Sequence, residues 1–379
     1  MMRTNKLGIY IHFPFCEKKC HYCDFLSFER GRGPAQEDYI GALLLEIEER
    51  AKELDEFSAD SLFFGGGTPS LMNLPLMDQV MEQLQRCFSI AKDAEITLEA
   101  NPGTLTKDGL KSYLSVGVNR LSLGVQSFDD TLLLKLGRIH NSEQAIRSYE
   151  MARDAGFENI NLDLIFGIPS QKLSVWEDTL EKVFRLNPEH FSMYGLTIEE
   201  GTEFHRLVQK GETALCEEEL DRKMYHLALA MAKARGYQQY EISNISKPGK
   251  ECQHNLKYWS FLDYLGLGLG AHSFLSGLRF ENTSRWEEYG KGLCIKSSHI
   301  NSREDNISEY VFTNLRKATG ISYLEFQRVF YKTFEEHLGE RRNQLNGYIR
   351  EGFMEEDSYG LRLTEKGMDY SNPIMAALM

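Results

Sequence analysis

Three of the seven cysteines fall within eight residues, in the stretch FPFCEKKCHYCDF: Cys16, Cys20 and Cys23. A tight group of thiols in a chain with an odd cysteine count points to metal binding in a reducing compartment rather than to disulfides. Two kinds of site fit three thiolates. A tetrahedral zinc ion needs a fourth ligand, which His12 or His21 could supply. A [4Fe–4S] cluster can be held by three thiolates, and one iron then stays open to a molecule from outside the protein. Spacing favours the iron–sulfur reading. Phe25 stands two residues after Cys23, where a further cysteine would continue the series. The other four cysteines, Cys87, Cys216, Cys252 and Cys294, are scattered and read as small buried apolar side chains.

Such a loop needs a scaffold. Short apolar runs recur at 7–13, 61–66, 95–100, 120–126, 159–167 and 190–198. Between them lie stretches with a period near 3.6 residues, such as 38–54 and 142–156, the second with Ser142 as N-cap and Gly156 as C-cap. This alternation predicts a parallel sheet covered by helices, either a complete or partial barrel or a doubly wound sheet. In such folds sites form at the carboxyl ends of strands. Polar or glycine-rich pieces stand at those ends here: the cysteine loop, then GGGTP (65–69), then EANPG (99–103), then Gln126, with Asp163 inside the fifth run. Taken singly, GGGTP and EANPG are ordinary turn sequences and Arg138 is an ordinary surface ion-pair residue. Their convergence is the signal.

From about residue 200 the rhythm changes. A long helix is expected at 216–236, then a strand-like 237–246, the HNLKYW stretch at 254–259 and the glycine-rich YLGLGLGAHSF at 264–274. The spacing in GLGLGAH is not that of a phosphate loop, so close backbone packing is expected there. The stretches 308–330 and 345–370 read as helices ending in a small hairpin, a winged-helix-like module. The units expected are 1–236, a connecting segment 237–300 and a C-terminal domain 301–379. His254 can be read as an axial ligand to heme, since imidazole commonly ligates that iron, or as a hydrogen-bonded residue beside packed Tyr258 and Trp259.

The 379 residues are 42% hydrophobic and 26% charged, with a net charge of −13. That suits a soluble globular protein with a sizeable core. It argues against nucleic acid as a partner and against broad contact with an anionic membrane, leaving only local peripheral contact open. No run of about 18 apolar residues marks a transmembrane span. The opening MMRTNKLGIYIHF lacks the apolar core of a secretory signal, so a cytoplasmic location is expected.

C-x3-C-x2-C after a first strand, followed by GGGTP after the next, resembles the radical S-adenosylmethionine enzymes. The resemblance implies an α/β fold, a partial (β/α)6 barrel, with a cluster whose open iron chelates S-adenosylmethionine and delivers the electron that cleaves it. Along nearly the whole chain, YIHFPFCEKKCHYCDF, FFGGGTPS, EANPG, RLSLGVQSFDD, LGRIH, NLDLIFGIP and YLGLGLGAHS resemble the oxygen-independent coproporphyrinogen oxidase family. Carried over on those motifs, Cys16, Cys20 and Cys23 hold the cluster and Tyr10 lines the pocket beside it. Tyr22 touches a nucleoside region. Gly66, Gly67 and Thr68 meet the methionine amino end and Glu99 meets a ribose hydroxyl. Gln126, Arg138 and Asp163 line the adenosine and carboxylate side.

Within that family the dehydrogenases have a fourth cysteine where this chain has Phe25, and a longer segment before the first strand. Phe25, the early cluster and His254, Asn255, Tyr258 and Trp259 of HNLKYW instead resemble the HemW-type branch. That branch implies heme binding and delivery to an acceptor protein, with cluster and S-adenosylmethionine retained and an electron donor of the flavodoxin or ferredoxin kind. The alternative is oxidative decarboxylation of coproporphyrinogen propionates.

Overall fold

The computed structural model describes residues 5–379. Residues 1–4, which open the expected 1–236 unit and the segment read for a secretory signal, lie outside the described residues. Six strands stand side by side in chain order: β1 (Lys6–Phe13), β2 (Ser58–Gly66), β3 (Ser89–Ala100), β4 (Arg120–Gln126), β5 (Ile160–Phe166) and β6 (His190–Gly195). Each pairs in parallel with the next. Parallel neighbours need a crossover, and helices Gln36–Ala51, Leu74–Cys87, Lys107–Ser115, Ser142–Ala155 and Leu173–Leu186 supply one per step. This is the expected partial (β/α)6 barrel.

The strands are buried on both faces, yet their two faces differ. In β4, Leu121, Leu123 and Val125 join the apolar core under the helices. The alternate residues Ser122, Gly124 and Gln126 line an internal cavity. In β5, Leu162, Leu164 and Phe166 lie in that apolar core, while Asp163 and Ile165 line the cavity. The period of two along each strand thus separates stability from chemistry.

Residues 237–300 add strands to both margins of the same sheet, giving twelve in all. Asn244–Ser246 pairs antiparallel with β6, and Gln238–Glu241 follows it. At the other margin Tyr264–Leu267 runs parallel to β1, followed by His272–Leu275, Leu278–Asn282 and Ile295–Ile300. The C-terminal part is mostly helical with a three-stranded sheet that includes the hairpin Met354–Glu356 and Gly360–Leu363. Its core of Val311, Leu315, Phe326 and Leu361 also takes in Phe261 and Phe274, so it is welded to the sheet extension.

Local boundaries differ from the sequence reading at several points, four of which bear on the fold. The N-cap at 142–156 is Asn141, not Ser142, because Asn141 and Gln144 close a capping box and Ser142 becomes the first helical residue. The third strand starts at Ser89, earlier than the apolar run. The sixth ends at Gly195. The stretch 308–330 is two helices, Arg303–Leu315 and Tyr323–Phe330, because Ile321–Ser322 leaves to pair with Leu361 and Gly360.

Candidate functional site

The cysteine loop leaves β1 and is pinned from several sides. Phe15–Cys16 pairs with Phe28–Glu29, the Phe28 N–H donates to Pro14 O at 2.6 Å, and the His21 N–H donates to Leu136 O at 3.0 Å. All three thiols border one cavity of about 410 Å³, together with Tyr22, Gly66, Gly67, Thr68, Glu99, Gln126, Arg138 and Asp163. Eight residues named from resemblance therefore meet at one place with the cysteines, although they come from five strands and their loops; Tyr10, expected beside the cluster, lines a neighbouring cavity instead. Burial pushes the Cys16 thiol up, and pushes Cys23 up to about 11, with the other two thiols adding to the rise at Cys23. Sulfur so placed holds its proton until a cation displaces it.

The GGGTP backbone is packed against this loop. The Gly67 N–H donates to Phe13 O and the Thr68 N–H to Phe15 O, both at 2.8 Å. A Cβ on Gly67 would lie 2.6 Å from Phe15 O and 2.7 Å from Phe15 N, so only glycine lets the two loops approach this closely. The Thr68 hydroxyl lies 3.6 Å from Cys16 Sγ and accepts from Asn101 Nδ2 at 2.8 Å. Arg138 donates to Cys20 Sγ at 3.4 Å, to Asn101 Oδ1 at 2.5 Å and to Gly124 O at 2.6 Å. Its Nε is buried with no partner. Gln126 ends β4 in the left-handed region, φ 65°, at a register shift that turns it toward the cavity.

A second cavity of about 450 Å³ shares Phe25, Gly66, Glu99, Ser122, Asp163 and Tyr194 with the first. Its walls are aromatic: Tyr10, Phe63, Tyr258 and Tyr264 among them. Its floor is polar. Asn161 Nδ2 donates to Asp163 Oδ1 at 2.8 Å and to Ser122 Oγ at 2.7 Å, and Ser122 Oγ donates to Asp163 Oδ2 at 2.8 Å. Glu99 accepts the Gly66 N–H at 3.3 Å, and burial followed by the charge of Asp163 pushes its carboxyl up to about 8. Arg120 is buried beside this floor and its Nε has no partner.

His254 lies on the helix Gln253–Trp259, whose N-terminal N–H groups at Gln253 and His254 donate to Glu95, each at 3.1 Å. The residue is 1% exposed. Its Nδ1 pairs with Ser61 Oγ and its Nε2 with Tyr258 OH, each at 2.9 Å. Burial, then Lys257 and Arg120, push its pKa down to about 3, so the ring is neutral. It lines the aromatic cavity with both nitrogens engaged. His12 is engaged in the same way, donating from Nε2 to Leu26 O at 2.9 Å and accepting from Tyr10 OH at 3.0 Å. His21 Nδ1 donates to Lys135 O at 2.9 Å. Among the described residues, no three histidine, cysteine or acidic side chains stand as a ligand set for a single metal ion. Nor is any helix among them long and apolar enough to cross a membrane.

Family models of the radical SAM superfamily and of the HemN C-terminal domain match residues 10–183 and 301–370. A heme chaperone HemW of Bacillus subtilis (strain 168) is 36% identical over 98% of each chain. Another, from Escherichia coli (strain K12), is 35% identical over 99% of this chain and 98% of its own. This chain belongs to the HemW-type branch of the radical SAM superfamily. The solved coproporphyrinogen III oxidase HemN from Escherichia coli, a radical SAM enzyme, shares the fold, with a TM-score of 0.86 over 100% of this chain and 91% of that one at 24% identity.

Membership in a radical SAM family implies a [4Fe–4S] cluster and S-adenosylmethionine. Three thiols around one cavity, a glycine cradle without side chains and an unsatisfied buried guanidinium nitrogen fit that pair of groups. In this HemW-type chain Phe25 does not fill the cysteine series. It is 63% exposed and stands where the two cavities meet. Sequence reading missed Asn101, which links Arg138 to Thr68, and the floor residues Arg120, Ser122, Asn161 and Tyr194. Asn101 sat inside the EANPG motif. The floor residues carried a weaker sign, polar side chains at alternate positions in otherwise apolar strands.

Proposed function

We propose that this protein binds heme and passes it to acceptor apoproteins, and that it carries a [4Fe–4S] cluster with S-adenosylmethionine beside it. The observation that carries this reading is the full-length similarity to heme chaperones. The paired cavities, one lined by thiols and one walled by aromatic rings, are consistent with it. Cys16, Cys20 and Cys23 hold the cluster, which supplies one-electron reduction when bound.

The chain's own side chains do the rest. Gly66 and Gly67 leave room for the methionine end, and Thr68 braces Cys16. Arg138 offers its free Nε to a carboxylate. Glu99 and Asp163 accept hydrogen bonds from sugar hydroxyls, and Gln126 and Tyr22 close the nucleoside side. Tyr10 lines the aromatic cavity, bonded to His12. The aromatic cavity takes the macrocycle, with Arg120 as a buried cation for an anionic substituent. His254 forms its wall, and iron reaches Nε2 only when the Tyr258 bond opens. The partners are heme, its acceptor and an electron donor of the flavodoxin or ferredoxin kind. The seven free thiols suit a reducing cytoplasm.

The test is anaerobic. Reconstituted protein is titrated with hemin and mixed with an apo heme protein, and in parallel it is given coproporphyrinogen III with S-adenosylmethionine and a strong reductant. Hemin binding and transfer without protoporphyrin formation is the expected result. Protoporphyrin formation would replace this reading with the dehydrogenase one.

A further inference from the structure

Three imidazoles line the aromatic cavity: His12, His254 and His272. An iron ligand must present a neutral nitrogen with its lone pair free. In His12 and His254 both nitrogens are bonded inside the protein. Among the described residues His272 has no hydrogen-bond partner on either nitrogen, and its side chain is 68% exposed.

The placement of His272 is not loose. The run LGLGLGAHS turns from strand Tyr264–Leu267 into strand His272–Leu275. The turn is tied to the barrel: the Gly268 N–H donates to Glu46 Oε2 at 2.8 Å, and the Leu269 N–H donates to Tyr39 OH at 3.2 Å. Antiparallel register then sets His272 opposite Glu281. The Glu281 carboxylate lies 3.6 Å from His272 Nε2 and is itself held by Lys296 at 2.9 Å and by the Ser297 hydroxyl at 3.0 Å. A fixed carboxylate near one nitrogen, with nothing on the other, leaves a lone pair free for a metal, and outer-shell carboxylates of this kind accompany ligating histidines.

We infer that His272 is an axial ligand to heme iron at the open side of the aromatic cavity, with Glu281 as its positioning residue. The inference rests on the heme-binding reading above. An exposed ligand of this kind is one that an acceptor protein's own ligand can displace, while Tyr10, Phe63, Tyr258 and Tyr264 line the cavity behind it.

The experiment is a hemin titration of the full-length reconstituted protein, read by the Soret and visible bands and by low-temperature electron paramagnetic resonance. His272→Ala is expected to weaken hemin binding by about tenfold or more and to change the coordination spectrum. Free imidazole should restore that spectrum, and cluster iron content should be unaltered. Glu281→Gln should weaken binding less and shift the same bands. A His272→Ala protein with wild-type spectrum and affinity would overturn the ligand assignment while leaving heme binding intact. So would weaker binding with an unchanged coordination spectrum. A wild-type protein that takes up no hemin would overturn the heme reading itself.

Discussion

Arg138 donates from Nη1 to the Sγ of Cys20 at 3.4 Å, across 118 residues of sequence. The same guanidinium bonds Asn101 and Gly124, so a fixed cation lies against one of three thiols grouped at a cavity. Cluster thiolates carry negative charge, and a guanidinium that is already oriented favours them without further ordering.

Removing that cation should cost stability as well as chemistry. Arg138→Ala leaves the part-buried Asn101 Oδ1 and the buried Gly124 O without their donor, a loss of up to about 1–3 kcal/mol per unsatisfied group. Arg138→Lys should recover less than half of it, because one ammonium does not span three acceptors. Anaerobic urea unfolding and iron content check both variants. A lysine variant equal to wild type in both would contradict the fork geometry.

Each cluster cysteine should be needed. Cys16→Ser, Cys20→Ser and Cys23→Ser are expected to lose the brown absorbance of reconstituted protein, with iron and sulfide falling together. Cys294→Ser, outside this cavity, should keep both. Full iron and sulfide in all three cluster variants would refute the ligand assignment.

Glu99 gives a pH signature. Burial and Asp163 raise its carboxyl to about 8 from an ordinary 4.5. A carboxyl raised on folding binds its proton more tightly in the folded state, so the ligand-free protein loses stability as pH climbs from about 4.5 to 8, by a few kcal/mol for this one group. Glu99→Gln removes that slope. Unfolding midpoints at about pH 5 and pH 8 should diverge less in the glutamine variant, and equal divergence would show that Glu99 is not the source.

Two glycines should behave in opposite ways. Gly67→Ala drives a Cβ into the backbone of Phe15 and should displace the cysteine loop, lowering iron retention and melting temperature together. Gly41→Ala lies on the helix Gln36–Ala51 with nothing within 4 Å of the new carbon, and should stabilise by about 0.5–1 kcal/mol. Iron retention unchanged in Gly67→Ala would mean that the loops are not locked as described.

The sequence by itself determined the cysteine spacing, the six alternating strand and helix units and the motifs at the strand ends, because each is written in residues that are neighbours along the chain. It also carried the caps of the one helix for which they are read, to within a residue: Asn141 rather than Ser142 closes its start, and Gly156 ends it. Only the tertiary structure decided which side chains share a cavity. Arg138 meets Cys20, and Asn161 joins Ser122 to Asp163, only because parallel register lines up residues that local pattern cannot relate. Likewise His254 stood out in the sequence through its motif, while His272 looked like part of a glycine-rich turn. Hydrogen bonds from Ser61 and Tyr258, and an antiparallel partner at Glu281, separate the two imidazoles. A nitrogen's availability depends on what packs against it, and that is a property of the fold rather than of the residue.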